Sequence, residues 1–134
     1  MTTRVLPDTL KLIRDHLVTV PEVNTFTSTR VYTERPANPQ FPAVMLLRAG
    51  GIPEWFGDDR ARIDVHCYAR TDTESKALSR ATFKALMEAP QTHATGILTD
   101  VKPASDLQEL RDPSYIGPGQ PMRYVFSVLA STHS

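Results

Sequence analysis

Only one cysteine, Cys67, occurs among the 134 residues. No intrachain disulfide can form, and nothing asks for an oxidising compartment. A charge excess of either sign is missing too. Fifteen Lys and Arg balance fifteen Asp and Glu, for a formal net charge of zero. Nucleic-acid binders usually carry a basic excess, because phosphate neutralisation supplies most of their affinity. A neutral chain also has little electrostatic repulsion to oppose self-association. Long apolar runs are absent. The opening MTTRVLPDTLKL lacks a signal-peptide core, and no stretch approaches a membrane-spanning helix in length. These absences predict synthesis in a reducing cytoplasm and no membrane partner. Glycine is sparse, with six in all. Gly50-Gly51 and Gly117-Pro118-Gly119 do not lead from a strand into a helix, so turn chemistry explains them better than phosphate binding.

What remains suits one globular domain over residues 1–134, with an ordinary apolar fraction and no need of a disulfide or metal to fold. Leu6, Leu10, Ile13 and Leu17 recur at helical spacing and predict a helix from about Pro7 to Leu17, ended before Pro21. Thr27 to Glu34 is rich in β-branched residues and reads as a strand. Phe41 to Arg48 is apolar on both faces and β-prone, and reads as a central strand covered on both sides, stopped by Gly50-Gly51. Thr71-Asp72-Thr73-Glu74 matches a capping box. The helix behind it carries an apolar stripe of Ala77, Leu78, Ala81, Ala85 and Leu86, with Pro90 as its stop. Gly96 to Val101 is a short strand, Asp100 to Pro121 an irregular segment, and Met122 to Ala130 the last strand. Hairpin-length links imply antiparallel pairing. The expected class is α+β: a mostly antiparallel four- to five-stranded sheet with two helices packed on one face.

Arg60 to Arg70, RARIDVHCYAR, alternates strictly. Ala61, Ile63, Val65, Cys67 and Ala69 form one side; Arg60, Arg62, Asp64, His66, Tyr68 and Arg70 form the other. His66 and Cys67 point to opposite faces and cannot grip one metal ion. His16, His93 and His133 show no ligand spacing. Asp64 and His66 share a face and could orient a general base. A catalytic site would also need a nucleophile or oxyanion hole, and no G-x-S-x-G or H-E-x-x-H exists. The polar side is therefore expected to be a hydrated or partner-facing stripe, with no cofactor, no metal and no catalytic residue. In IPEWFGDD, Trp55 and Phe56 either fold back onto the core or anchor another subunit. Tyr115 lies in the long segment Asp106 to Gln120, and loops of that length are commonly functional.

RVYTERPANPQFPAVMLLRAGG, RARIDVHCYAR and TDTESKALSRATFKALMEAP follow one another after an amphipathic helix. In that order they resemble the tail terminator (tail completion) proteins of long-tailed siphophages, over Arg30 to Pro90. The resemblance implies a structural virion protein rather than an enzyme, assembled in the host cytoplasm and resident in the phage tail or neck. It implies a homo-oligomeric ring, a hexamer, that caps the tail tube, ends its polymerisation and offers a docking surface to the head–tail connector. DNA would only pass through the lumen. On this view Trp55, Phe56, Arg60, Arg62, Asp64, His66 and Tyr115 are interface candidates. Two alternatives stand beside it: a head completion or neck connector protein, and a small cytoplasmic ligand-binding or enzymatic α+β domain. A deep pocket closed within one subunit at the Asp64–His66 face would favour the last.

Overall fold

The computed structural model describes residues 8–34, 40–53, 58–89, 91–93, 96–105, 108–109 and 122–133. The first helix, α1 (Thr9–Leu17), is capped by Asp8, whose carboxylate accepts from the Lys11 N–H at 3.1 Å. Its buried side is Thr9, Leu12, Ile13, His16 and Leu17, rotated from the leucine stripe expected, with Leu10 only half-buried. Pro21 does not merely end the preceding segment. It opens α2 (Pro21–Thr27) at a first-turn position, where its missing N–H costs nothing. The strand expected over Thr27 to Glu34 therefore shrinks to β1 (Val31–Tyr32). Thr27 ends α2, with its hydroxyl bonded back to Val23 O at 3.2 Å.

A long hairpin follows, β2 (Ala43–Pro53) and β3 (Asp58–Ala69). The diglycine expected to stop β2 lies inside it. The register slips between Arg48 and Gly50, and Gly50 takes φ +147°. Only glycine adopts that conformation without strain, so the strand passes through a bulge instead of stopping. The third helix, α3 (Asp72–Met87), begins as expected: Thr71 Oγ1 accepts from the Glu74 N–H at 3.2 Å. The alanine stripe is corrected, since Ala77 is exposed. Ser75, Ser79 and Thr82 are buried with Leu78, Ala85 and Leu86. Their hydroxyls bond back to Asp72 O (3.1 Å), Lys76 O (2.8 Å) and Leu78 O (2.8 Å). Each polar group is thereby satisfied within the helix and can lie against the sheet.

The chain then forms β4 (Gln91–His93), β5 (Gly96–Pro103), β6 (Gln108–Glu109) and β7 (Met122–His133). Strand order is β1-β2-β3-β7-β5-β4, with β6 also on β7. Every pairing is antiparallel except β1 with β2. The α+β expectation holds. Four long strands make the body of the sheet, three short ones extend it, and a third helix joins the two foreseen. Part of the segment expected to be irregular is regular, because β5 runs on to Pro103 and β6 follows.

One sheet face carries the core. Ala61, Ile63, Val65 and Cys67 of β3 are fully buried, beside Val44 and Leu46 of β2 and Phe126, Val128 and Ala130 of β7. Ile13, Leu17, Val23, Leu78 and Leu86 of the helices close over them. His16 ties α1 to α3 by a hydrogen bond between Nε2 and Ala85 O at 3.1 Å, and Tyr124 Oη donates to Asp72 at 3.0 Å, fixing the start of α3 to β7.

Burial pushes the Cys67 thiol up from 9.0 to about 12, offset only in part by a hydrogen bond with Thr82. The folded protein holds this proton where the unfolded chain releases it. The associated stability is full below pH 9 and lost as pH rises from about 9 to 12. Alkylation of native protein at pH 8 should therefore proceed only at the rate of unfolding. Cys67→Ala should flatten the alkaline loss of stability, measured by urea titration. Rapid alkylation of the folded protein would contradict the burial.

Candidate functional site

Strand β3 sets the site by its pleat. With the odd residues against the helices, Arg60, Arg62, Asp64, His66 and Tyr68 must share the opposite face. Register places Met45 and Leu47 of β2 beside His66 and Asp64. From β7 it places Val125 beside His66, Ser127 beside Asp64, Leu129 beside Arg62 and Ser131 beside Arg60. Asp100 and Lys102 of β5 complete the last two rows.

This face has two halves. Near Tyr68 it is closed: Tyr68 is 4% exposed and Met45 8%, and the Phe41 ring lies 5.6 Å from that of Tyr68. Arg123 donates to His66 Nδ1 at 3.3 Å, and the His66 and Tyr68 rings stack at 6.3 Å. Toward the hairpin end it is open. Leu47 is 41% exposed and Leu129 45%, and they are the exposed large hydrophobics among the described residues. Strand β2 is therefore not covered on both sides. Its continuous apolar run hides one buried face, Val44 and Leu46, and one partly open. Arg60, Asp100, Lys102, Leu129 and Ser131 line a shallow depression of about 200 Å³.

Asp64 sits at the boundary. Its carboxylate accepts from Ser127 Oγ at 2.5 Å, while Arg62 Nε stands 3.9 Å away on a half-exposed side chain. Ser127 is itself fixed three ways, since its N–H donates to Ser105 Oγ and its carbonyl accepts from the Ala104 N–H, both at 2.8 Å. Asp64 thus serves as an acceptor that pins β3 to β7. Its contacts run to Ser127 and Arg62 and not to His66, whose Nδ1 accepts from Arg123, so it does not orient that imidazole as a base. The depression on this face is lined by Arg60, Asp100, Lys102, Leu129 and Ser131, and neither Asp64 nor His66 is among its lining residues. Among the described residues no group of three His, Cys, Asp or Glu side chains could hold a metal ion, and no helix is long and apolar enough to cross a membrane.

The structure thus brings four of the sequence candidates, Arg60, Arg62, Asp64 and His66, onto one face. Trp55, Phe56 and Tyr115 lie outside the described residues. Sequence reasoning missed Leu47 and Leu129, Lys102 and Asp100. Their signal is the register itself, which a single strand's pattern does not carry.

Residues 11–114 match the family model described as tail completion protein gp17. The fold is similar to that of a chain in the virion of a native gene transfer agent (GTA) particle. The TM-score is 0.63 at 17% identity, over 91% of this chain and 92% of that one. At that identity the likeness speaks for the fold alone. No curated protein matches.

The two contacts of Asp64 should separate by mutation. Hydrogen bonds to charged groups contribute roughly 1.5–3 kcal/mol when well shielded. Asp64 is partly exposed, so Ser127→Ala should cost about 1–2 kcal/mol in urea unfolding. Arg62→Ala, which removes a long and exposed ion pair, should cost about 0.5 kcal/mol or less. Equal losses from both would contradict this division between framework and surface.

Proposed function

The chain belongs to the tail completion protein gp17 family, and from that premise we propose that it forms a closed ring, six subunits around, on the last ring of the phage tail tube. The family is one of structural virion proteins of phage tails, not of enzymes. In the proposed role the ring ends tube growth and presents its far side to the head–tail connector, while DNA passes through without specific contact.

The observation that carries this reading is the one-sided sheet. Three helices bury one face, and the other face leaves Leu47 and Leu129 exposed among Arg60, Arg62 and Lys102. Large aliphatic side chains flanked by charges suit a protein contact with a polar rim. They suit the wall of a DNA channel less well. Arg60, Arg62 and their neighbours are accordingly assigned to a subunit contact, and His66 to the closed half beside it. A ring of identical subunits needs two different surfaces on each, one meeting the other head to tail.

The test is to mix purified chain with polymerising tail-tube protein and measure tube lengths by electron microscopy. Shorter tubes with a cap at one end, and a six-subunit species by mass photometry, are expected. Arg60→Glu with Arg62→Glu should abolish both at unchanged fold. Tubes of unaltered length, with binding only to connector rings, would move the chain to the head side of the neck. A chain that binds neither would overturn the ring.

A further inference from the structure

The helix side of the sheet presents a surface of different chemistry. On α3, Lys76, Arg80 and Lys84 are exposed and follow one another at one-turn spacing, away from the buried Leu78, Thr82 and Leu86. Thr73 and Ala77 share that outer side. No acid interrupts the helix between Glu74 and Glu88. Lys84 reaches Glu22 of α2 at 3.6 Å, but both side chains are 60% exposed and water screens the pair. Lys76 and Arg80 make no ion pair among the described residues.

Like charges four residues apart repel and weaken a helix. Helix α3 carries two such pairs, Lys76 with Arg80 and Arg80 with Lys84, and an anion would relieve both. The helix is also firmly held. Thr71 caps it, Tyr124 binds Asp72, and His16 binds Ala85 O. The bases therefore stand on a rigid rod at intervals of roughly 6 Å, about 12 Å from first to last. The arc offers no anchor to a protein. The exposed large hydrophobics among the described residues, Leu47 and Leu129, both lie on the far face of the sheet, and lysine is depleted where proteins bury contact area. Nor does the arc suit the open sheet face of a second copy, where Arg60, Arg62 and Lys102 outnumber Asp64 and Asp100 and like charges would meet. Evenly spaced cations without apolar neighbours are what a phosphate backbone requires.

We propose that the outer arc of α3 contacts the phosphate backbone of duplex DNA. Lys76 and Arg80 carry the contact, and Lys84 joins them by turning from Glu22. In the assembled ring each subunit turns this arc to the passing duplex and neutralises two or three phosphates without reading a base. The balanced charge of the whole chain does not oppose this. Counterion release depends on the cations at the contact, and a few per subunit give an attachment weak enough to slide along.

This inference rests on the ring reading, and the experiment separates their failures. A labelled DNA duplex of arbitrary sequence is titrated with the full chain, alone and on tail tubes, and followed by fluorescence anisotropy at several salt concentrations. Binding should be indifferent to sequence and fall with salt, with a logarithmic slope between about −2 and −3 per engaged subunit. Lys76→Gln with Arg80→Gln should weaken binding at least tenfold at low salt and flatten that slope by about two, with melting and tube capping unchanged. Arg60→Gln with Arg62→Gln, on the other face, should leave the DNA affinity of the unassembled chain as it is. Equal binding by the α3 variant, or no binding by a wild-type chain that caps tubes, would overturn the contact and leave the ring in place. Loss of capping or of connector binding by the α3 variant, at unchanged DNA affinity, would make the arc a protein surface and also overturn it. DNA held through Lys76 and Arg80 by a chain that neither forms a ring nor caps tubes would remove the ring and keep the contact. A chain that does none of these would remove both ideas.

Discussion

The strict alternation of β3 is the constraint from which the rest follows. Its odd residues reach complete burial because they are small or branched and meet three helices. Removing a buried branched side chain such as Ile63 would cost on the order of 2–5 kcal/mol, a large share of a small domain's stability. That face cannot slip. A one-residue shift would carry Arg62 and Asp64 into the core and Ile63 into water. The pleat thus fixes the opposite face as firmly as the core itself, although nothing within the described chain covers its outer half.

Hydrogen bonding reinforces this where hydrophobic burial does not reach. Ser127 links β7 to Asp64 of β3 and, through its backbone, to the chain leaving β5. The junction is useful because β5 and β6 share the same side of β7 and leave a gap between them. Residues 104 and 105 fill that gap without strand geometry. On the helix side, hydroxyls of α3 bond back into their own helix and so need no partner from the sheet.

Legibility in the sequence followed the strength of the period. The alternation of β3 was plain, since polar and apolar residues separate completely, and it placed Arg60, Arg62, Asp64 and His66 on one face. The cap at Thr71 was plain because its chemistry is local. Leu47 and Leu129 were not legible as surface residues. They sit in runs, FPAVMLLRAGG and MRYVFSVLA, where both faces are apolar and only pairing with Asp64 and Arg62 tells which side is open. Pro21 misled because proline both ends and begins helices, and the residues after it decide which. Gly50-Gly51 misled for a related reason. The conformational freedom that makes glycine a stop also lets a strand continue through a bulge.

A sheet covered on one side is an unfinished structure in an isolated chain and a sensible one in an assembly. Exposed leucines among mixed charges are tolerable to the monomer, because each charge keeps its water and the apolar patch is small. The same arrangement becomes favourable when a neighbour covers the leucines and the surrounding charges find opposites. Net charge near zero then matters more than any single pair. It lets like subunits approach, while the uneven distribution of that charge selects which surface meets which. A head-to-tail contact has no internal reason to stop, so closure must come from the angle each subunit imposes on the next. The angle depends on rigid parts. Strand β3 carries Arg60 and Arg62 on its open face and is locked to the helices through Ala61, Ile63, Val65 and Cys67 on the other. In the proposed ring, the strand that buries the core would also carry the contact on its other side and set the direction in which that contact propagates.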